Sequence, residues 1–440
     1  MNRFTSQQRK LVYLSAIVVL LIPIIWLGMP ATGESGSGGK LAQLRQQYDL
    51  GENTLGEIDP TSATMTFMLL GLRGIASNLL WIQAIEEKET KNWAALRTTV
   101  DSIVMLQPHY LEVWRFQGWN LAYNVSAEWD LVSDRYYWVK EGAKFYEKGT
   151  ERNSRAPELY WEVGRVLGQK IGRSDEWRLF RKYFLDDPDP KFEGRPDPEL
   201  NPAGKDNYLA AKDVFYEANK AEDNQVQHIM MRALFRQYPA RSQLDYADAL
   251  QREGLFDEVT QVAWAEAFRD WTQTYGRMEF ESPGGTVVLE STEDDIQRLA
   301  KKDNVDIDTK RHWTARYQDT TNYRYWRTRA LAESEPDTVA GHRELFQGKT
   351  LFKEGKLDEA EVVLYSGMEK WQRLLQRYPE LTIEDETVEI GLSAILLWQY
   401  IHQLKGEPLP ETFPLQGLWL AHQNRLPEIQ NMFNQEFGIR

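Results

Sequence analysis

The apolar positions of this chain begin with an uncharged run, LVYLSAIVVLLIPIIWLGM, at 11–29. At about 1.5 Å per residue it predicts a helix just long enough for a hydrocarbon core of about 30 Å. A Gly/Ser-rich stretch, GESGSGG, follows and reads as the start of a tether over 31–60. From 61 to 275 apolar residues recur at i, i+3, i+4 and i+7, the period of helices that bury one face. In VWRFQGWNLAYNV this places Trp114, Gln117, Gly118, Leu121 and Val125 along one side. The segment DDPDPKFEGRPDPELNPAGKD at 186–206 breaks the period with prolines and glycines, and predicts a long solvated surface loop. At 277–290 the period falls to two, so RMEFE and TVVLE read as strands joined by a Pro-Gly-Gly turn. Ser291 or Thr292 then caps a new helix, and the helical pattern resumes through to the C-terminus.

One short motif occurs twice, REGLFDEV at 252–259 and KEGKLDEA at 353–360. Around the second copy stand Gly348, Leu351, Gly355, Ala360, Leu364 and Gly367. Their offsets resemble a tetratricopeptide repeat, with small residues where two helices approach closely and larger ones filling between ridges. Gln372 stands where such a repeat usually has proline, and the second helix is expected to run on to Pro379. The first copy keeps Ala247, Gly254 and Val259 in register but has Glu266 at a small-residue position. The expected fold is therefore mainly α: an irregular TPR-like α-solenoid with a small β-hairpin insert and an N-terminal transmembrane helix. Its regions are a stub and anchor at 1–30, a linker at 31–60, helical repeats at 61–275, the hairpin at 276–291 and a C-terminal TPR-like region at 292–440.

Charge narrows the partners. The chain has 52 basic and 66 acidic residues, a net charge of −14. Such a surface repels polyanions, so no nucleic-acid partner is expected. With no cysteine, disulfides, thiolate metal sites and cysteine nucleophiles are excluded. The six histidines, at 109, 228, 312, 342, 402 and 422, never fall within five residues of one another. No HExxH, GxSxG, Walker A or GxGxxG spacing occurs, so no catalytic, cofactor or metal residue is assigned and no enzyme is expected. Asp186, Asp187 and Asp189 could draw Ca²⁺ into the 186–206 loop, but the glycine and distal glutamate of an EF-hand are missing. The 16 tryptophans suit helix-face packing first and glycan stacking second. For a glycan-processing chemistry Glu162 beside Trp161 and Glu128 beside Trp129 are the carboxylates to inspect.

Arg3, Arg9 and Lys10 precede the apolar run and only Lys40 and Arg45 follow soon after it. This bias favours a cytoplasmic N-terminus with the bulk of the chain outside. A cleaved signal peptide, with Ala31-Thr32-Gly33 as the small-residue site, is the alternative. A second apolar stretch at 65–84 carries Arg73 near its centre and reads as an amphipathic helix. Several segments, LRGIASNLLWIQA (72–84), LQPHYLEVWRFQGWNLAYNVSAEWD (106–130), GQKIGRSDEWRLFRKYF (168–184), YADALQREGLFDEV (246–259) and TNYRYWRTRALAE (321–333), resemble a family of membrane-anchored helical-repeat proteins from planctomycetes. The NLAYNVS and QKIGR blocks are its most specific part. The resemblance implies a fold and an anchor but no catalytic residues. The "iron-responsive element" label that some members carry finds no cysteine cluster here to support it. The expected function is a cell-membrane scaffold that binds protein or peptide partners outside the cytoplasm. An exported glycan-binding or glycan-processing protein is the alternative.

Overall fold

The computed structural model describes residues 6–28, 73–223, 225, 228 and 230–438. The 31–60 tether, the Ala31-Thr32-Gly33 site and the start of the 65–84 stretch lie outside them. The protein is mainly helical, 76% helix against 2% strand, which settles the class. The chain forms two compact units, 1–163 with 220–224, and 164–219 with 225–440.

In the first unit the apolar run becomes a 23-residue helix, Ser6–Gly28, with Pro23 inside it. Val12, Leu14, Ile17, Val19, Leu20 and Ile22 are all exposed on it. Several of its side chains fall outside the described residues. Among the described residues no helix is long and apolar enough to cross a membrane. Helix Arg73–Glu89 begins at the arginine that interrupts the second apolar stretch. With Trp93–Leu106 it encloses a core of Ala84, Leu96, Val100, Ile103 and Val113.

The helix that follows, Leu111–Trp119, continues as a π-helical turn over Asn120–Val125. The expected face is the buried one, with Trp114, Gln117, Gly118, Leu121 and Val125 all inside. Two more π turns occur among the described residues, Val166–Lys170 and Asp270–Tyr275. Beside each, a glycine seats an aromatic ring. A Cβ on Gly118 would lie 2.5 Å from the Tyr146 ring, and one on Gly172 2.4 Å from Tyr208; Gly276 meets the Tyr323 hydroxyl in the same way. Side chains meet the loosened backbone: Ser126 Oγ donates to the Ala122 carbonyl (2.7 Å) and buried Asn207 Nδ2 to that of Leu167 (2.8 Å). The NLAYNVS block is thus a π turn with its closing serine, and the QKIGR block spans the end of a second π turn and the short helix Ile171–Arg173 that follows it.

In the second unit the 186–206 segment is the expected surface loop, most of its residues exposed, but it is pinned at a few buried points. It holds a short 3₁₀ turn, Pro190–Phe192, and buries Asp187, Asp197, Leu200 and Asn201. Asn201 alone bonds the Phe184 carbonyl and both backbone groups of Lys205. Polar side chains that satisfy backbone groups allow irregular chain to be buried. The hairpin pairs Glu279–Ser282 with Gly285–Val288, Phe280 opposite Val287. Its turn is Pro283-Gly284, one residue shorter than expected, because Gly285 is already paired with Ser282. Phe280 and Val287 enter a core with Trp264, Trp271 and Tyr323. Fully buried Lys310 donates to the carbonyls of Gly284 (2.6 Å) and Thr286 (2.9 Å) and to Asp303 (2.6 Å), so all three ammonium protons are used. Thr292 is the cap of helix Glu293–Asp303, in a capping box with Asp295.

Candidate functional site

Both copies of the repeated motif end a helix in the same way. Gly254 and Gly355 take left-handed φ of +83° and +78°. The N–H of the next residue then bonds five residues back, Leu255 to Leu250 (2.9 Å) and Lys356 to Leu351 (3.0 Å). The aspartates part company. Asp257 caps helix Glu258–Arg269 through the N–H groups of Val259 and Thr260, whereas Asp358 lies inside the first turn of Leu357–Arg377 and bonds Lys405. Gly254 is also a seat, since a Cβ there would lie 2.8 Å from the Phe346 ring. Gly355 has open space around it.

Helices Pro336–Lys353 and Leu357–Arg377 pack through a reciprocal exchange. Leu364 fills the space over Gly348, where a Cβ would lie 2.5 Å from it, and Leu345 fills the space over Gly367 at 2.8 Å. Ala360 is fully buried at the same interface and Leu351 packs half-buried against the core. Leu345 was not among the residues singled out from the sequence, although it is the partner that gives Gly367 its purpose. Helix Leu357–Arg377 stops two residues before Pro379, and Gln372 uses its side-chain oxygen to hold the Leu415 N–H (2.8 Å).

Against this pair lies helix Asp385–Lys405. Between it, Pro336–Lys353 and the end of the last helix, Leu426–Phe437, is a cavity of about 270 Å³. Phe256, Leu345, Phe346, Ile390, Leu397 and Phe437 supply its apolar walls, with His342, Lys349, Glu389 and Glu436 at polar points. The volume falls just below the ~300–1,000 Å³ of small-molecule pockets, which suits one or two inserted side chains. Glu436 accepts from Lys349 (2.5 Å) and Lys353 (3.2 Å). Burial works against its charge, but the two lysines hold its carboxyl below the usual range. Glu389 has no hydrogen bond or ion pair among the described residues. Burial raises its carboxyl, only partly offset by Arg425.

The wall behind the cavity is densely bonded. His342 Nε2 lies 2.8 Å from buried Glu333, which also accepts from Gln251 (2.9 Å). Phe256 lies parallel to the imidazole at 5.9 Å and Trp371 meets it edge-on at 4.6 Å. Beyond them buried Arg329 bonds Asp248 and Glu386 and sits over the rings of Trp264 and Trp326. Charges so thoroughly partnered serve positioning rather than proton transfer.

The other candidates do not line this cavity. His109 meets Asn153 and His422 the Thr382 carbonyl. Glu128 is ion-paired with Lys91, and buried Glu162 lies 3.9 Å from Arg115. In the 186–206 loop Asp187 and Asp189 each accept a backbone N–H. No protein-family model matches the chain, and no curated protein matches it.

Proposed function

We propose that the protein is a membrane-anchored, TPR-like helical scaffold whose groove beside Pro336–Lys353 and Asp385–Lys405 takes a peptide segment of a partner protein. The observation that carries this reading is the apolar slot with the Glu389 carboxylate at its rim, which has no hydrogen bond or ion pair among the described residues. An apolar slot between neighbouring helices accepts bulky side chains, and a carboxylate without a cation partner selects a cation next to them. The partner segment is therefore one that sets a large apolar residue beside a lysine or arginine, which also suits the net charge of −14.

The anchor reading rests on the uncharged run at 11–29, about 28 Å long as a helix at 1.5 Å per residue. Apolar side chains exposed along such a helix are stable in lipid and costly in water. With Arg3, Arg9 and Lys10 on the near side, the scaffold stands outside the cytoplasm in this proposal. Membership of the planctomycete-type anchored family is proposed on the LRGIASNLLWIQA, NLAYNVS and QKIGR blocks.

Selection of random twelve-residue peptides on the full-length protein tests the groove. Enriched peptides should share the basic–apolar pairing, lose about tenfold or more in affinity to Ala394→Trp, which fills the cavity, and several-fold to Glu389→Gln. Failure to enrich any peptide, or equal binding by Ala394→Trp, refutes the reading.

A further inference from the structure

On the far end of helix Asp385–Lys405 lies a second cluster, distinct from the groove. His402 is 6% exposed, and neither of its ring nitrogens has a hydrogen-bond partner among the described residues. Yet Nε2 lies 3.3 Å from Glu361 Oε1 and Nδ1 3.8 Å from Glu407 Oε2. The three residues can each offer a ligand atom with all of these within 4.8 Å of one another. Lys405 Nζ bridges the same carboxylates, at 2.7 Å from Glu361 and 3.1 Å from Glu407, and reaches Asp358 at 2.7 Å.

The local fold explains how residues 46 positions apart in sequence converge. Gly406, at φ +70°, closes the helix, and the Glu407 N–H returns to the His402 carbonyl (3.0 Å). That cap turns Glu407 back beside the imidazole. Glu361 comes from the facing helix Leu357–Arg377.

We propose that Glu361, His402 and Glu407 form a site for one divalent transition cation of the Zn²⁺ class, with the Lys405 ammonium as the resident cation that the metal displaces towards Asp358. Buried imidazole nitrogens are normally hydrogen-bonded, and these two are not. The 3.3 Å separation of Nε2 from Glu361, outside hydrogen-bond geometry, matches the ligand–ligand edge of a tetrahedron with bonds of about 2.0–2.1 Å, itself about 3.3–3.4 Å. An imidazole ligand favours zinc, copper or nickel over calcium and magnesium, and two carboxylates supply charge balance. The metal binds one imidazole nitrogen, Nε2, beside Glu361. Glu407 then either completes the ligand set or orients the ring from the Nδ1 side, as carboxylates do around zinc-bound histidines. The bound ion would staple the helices Leu357–Arg377 and Asp385–Lys405.

Calorimetric titration of Zn²⁺ into the metal-free full-length protein in detergent tests the site, with Co²⁺ absorption reporting the ligand geometry. One equivalent should bind. His402→Ala should weaken it at least 100-fold and Glu361→Gln at least tenfold, while Lys405→Met, which removes the competing ammonium, should tighten it about tenfold. The absence of saturable one-equivalent binding in both the wild type and Lys405→Met overturns the proposal. So does binding that survives His402→Ala unchanged, which marks an adventitious ion only. If His402→Ala does not fold, Glu361→Gln and Lys405→Met decide: unchanged affinity in both overturns the site, and opposite shifts support it.

Discussion

Replacing Glu333 with glutamine probes the wall of the groove most directly. The side chain keeps its size, and its oxygen can still accept from Gln251, but the charge facing His342 at 2.8 Å is lost. A hydrogen bond to a charged group contributes about 1.5–3 kcal/mol, and breaking a buried pair by removing one partner costs about 3–5 kcal/mol. Because glutamine retains one of the two bonds and Arg329 retains Asp248 and Glu386, the lower end applies, about 2–3 kcal/mol at pH 7. The effect has a definite pH dependence. Burial raises the Glu333 carboxyl, but His342 and then Arg329 and Gln251 outweigh it, so the folded group titrates below its ordinary value. A carboxylate depressed in the folded state contributes stability above its unfolded pKa of about 4.3, and loses it as pH falls through the folded value. Urea unfolding followed by tryptophan fluorescence should therefore show a gap between wild type and Glu333→Gln at pH 5 and above. The gap should close below about pH 4. A gap under about 1 kcal/mol at pH 7, or one that persists undiminished at pH 3, refutes the pairing as drawn.

Lys310→Met keeps the buried stem but strands the carbonyls of Gly284 and Thr286 and the Asp303 carboxylate. A loss of about 3–5 kcal/mol in urea unfolding is expected, and a loss below about 1 kcal/mol contradicts the three-way tie. Gly348→Val pushes a branched side chain into Leu364 and should destabilise by about 1–3 kcal/mol through overpacking. Gly355→Ala meets open space and should show only the backbone cost of about 1–2 kcal/mol for φ +78°, with near-ultraviolet dichroism unchanged. A topology reporter fused after Arg440 should read outside the cytoplasm; a cytoplasmic signal removes the export reading.

What the sequence determined by itself was local. The period of apolar residues marked helices, the change to period two marked the hairpin, and glycine in an Glu-Gly-x-x-Asp-Glu motif marked two helix ends, because each signal reports the conformation of a few adjacent residues. Its capping box at Thr292 and the stop before Pro379 were readable for the same reason. The 186–206 segment was readable as a surface loop, but its buried points were not, because they depend on Asn201 reaching the Phe184 carbonyl, 17 residues away. Tertiary structure alone paired Leu345 with Gly367 and Leu364 with Gly348, set Glu333 behind His342, and aimed Lys310 at the hairpin turn. It also brought Glu361 to within 3.3 Å of His402, 41 positions later in the sequence. These contacts depend on how helix faces meet, and one chain's spacing does not specify which face meets which. The groove is accordingly a product of packing, while the helices that wall it were written in the order of the residues.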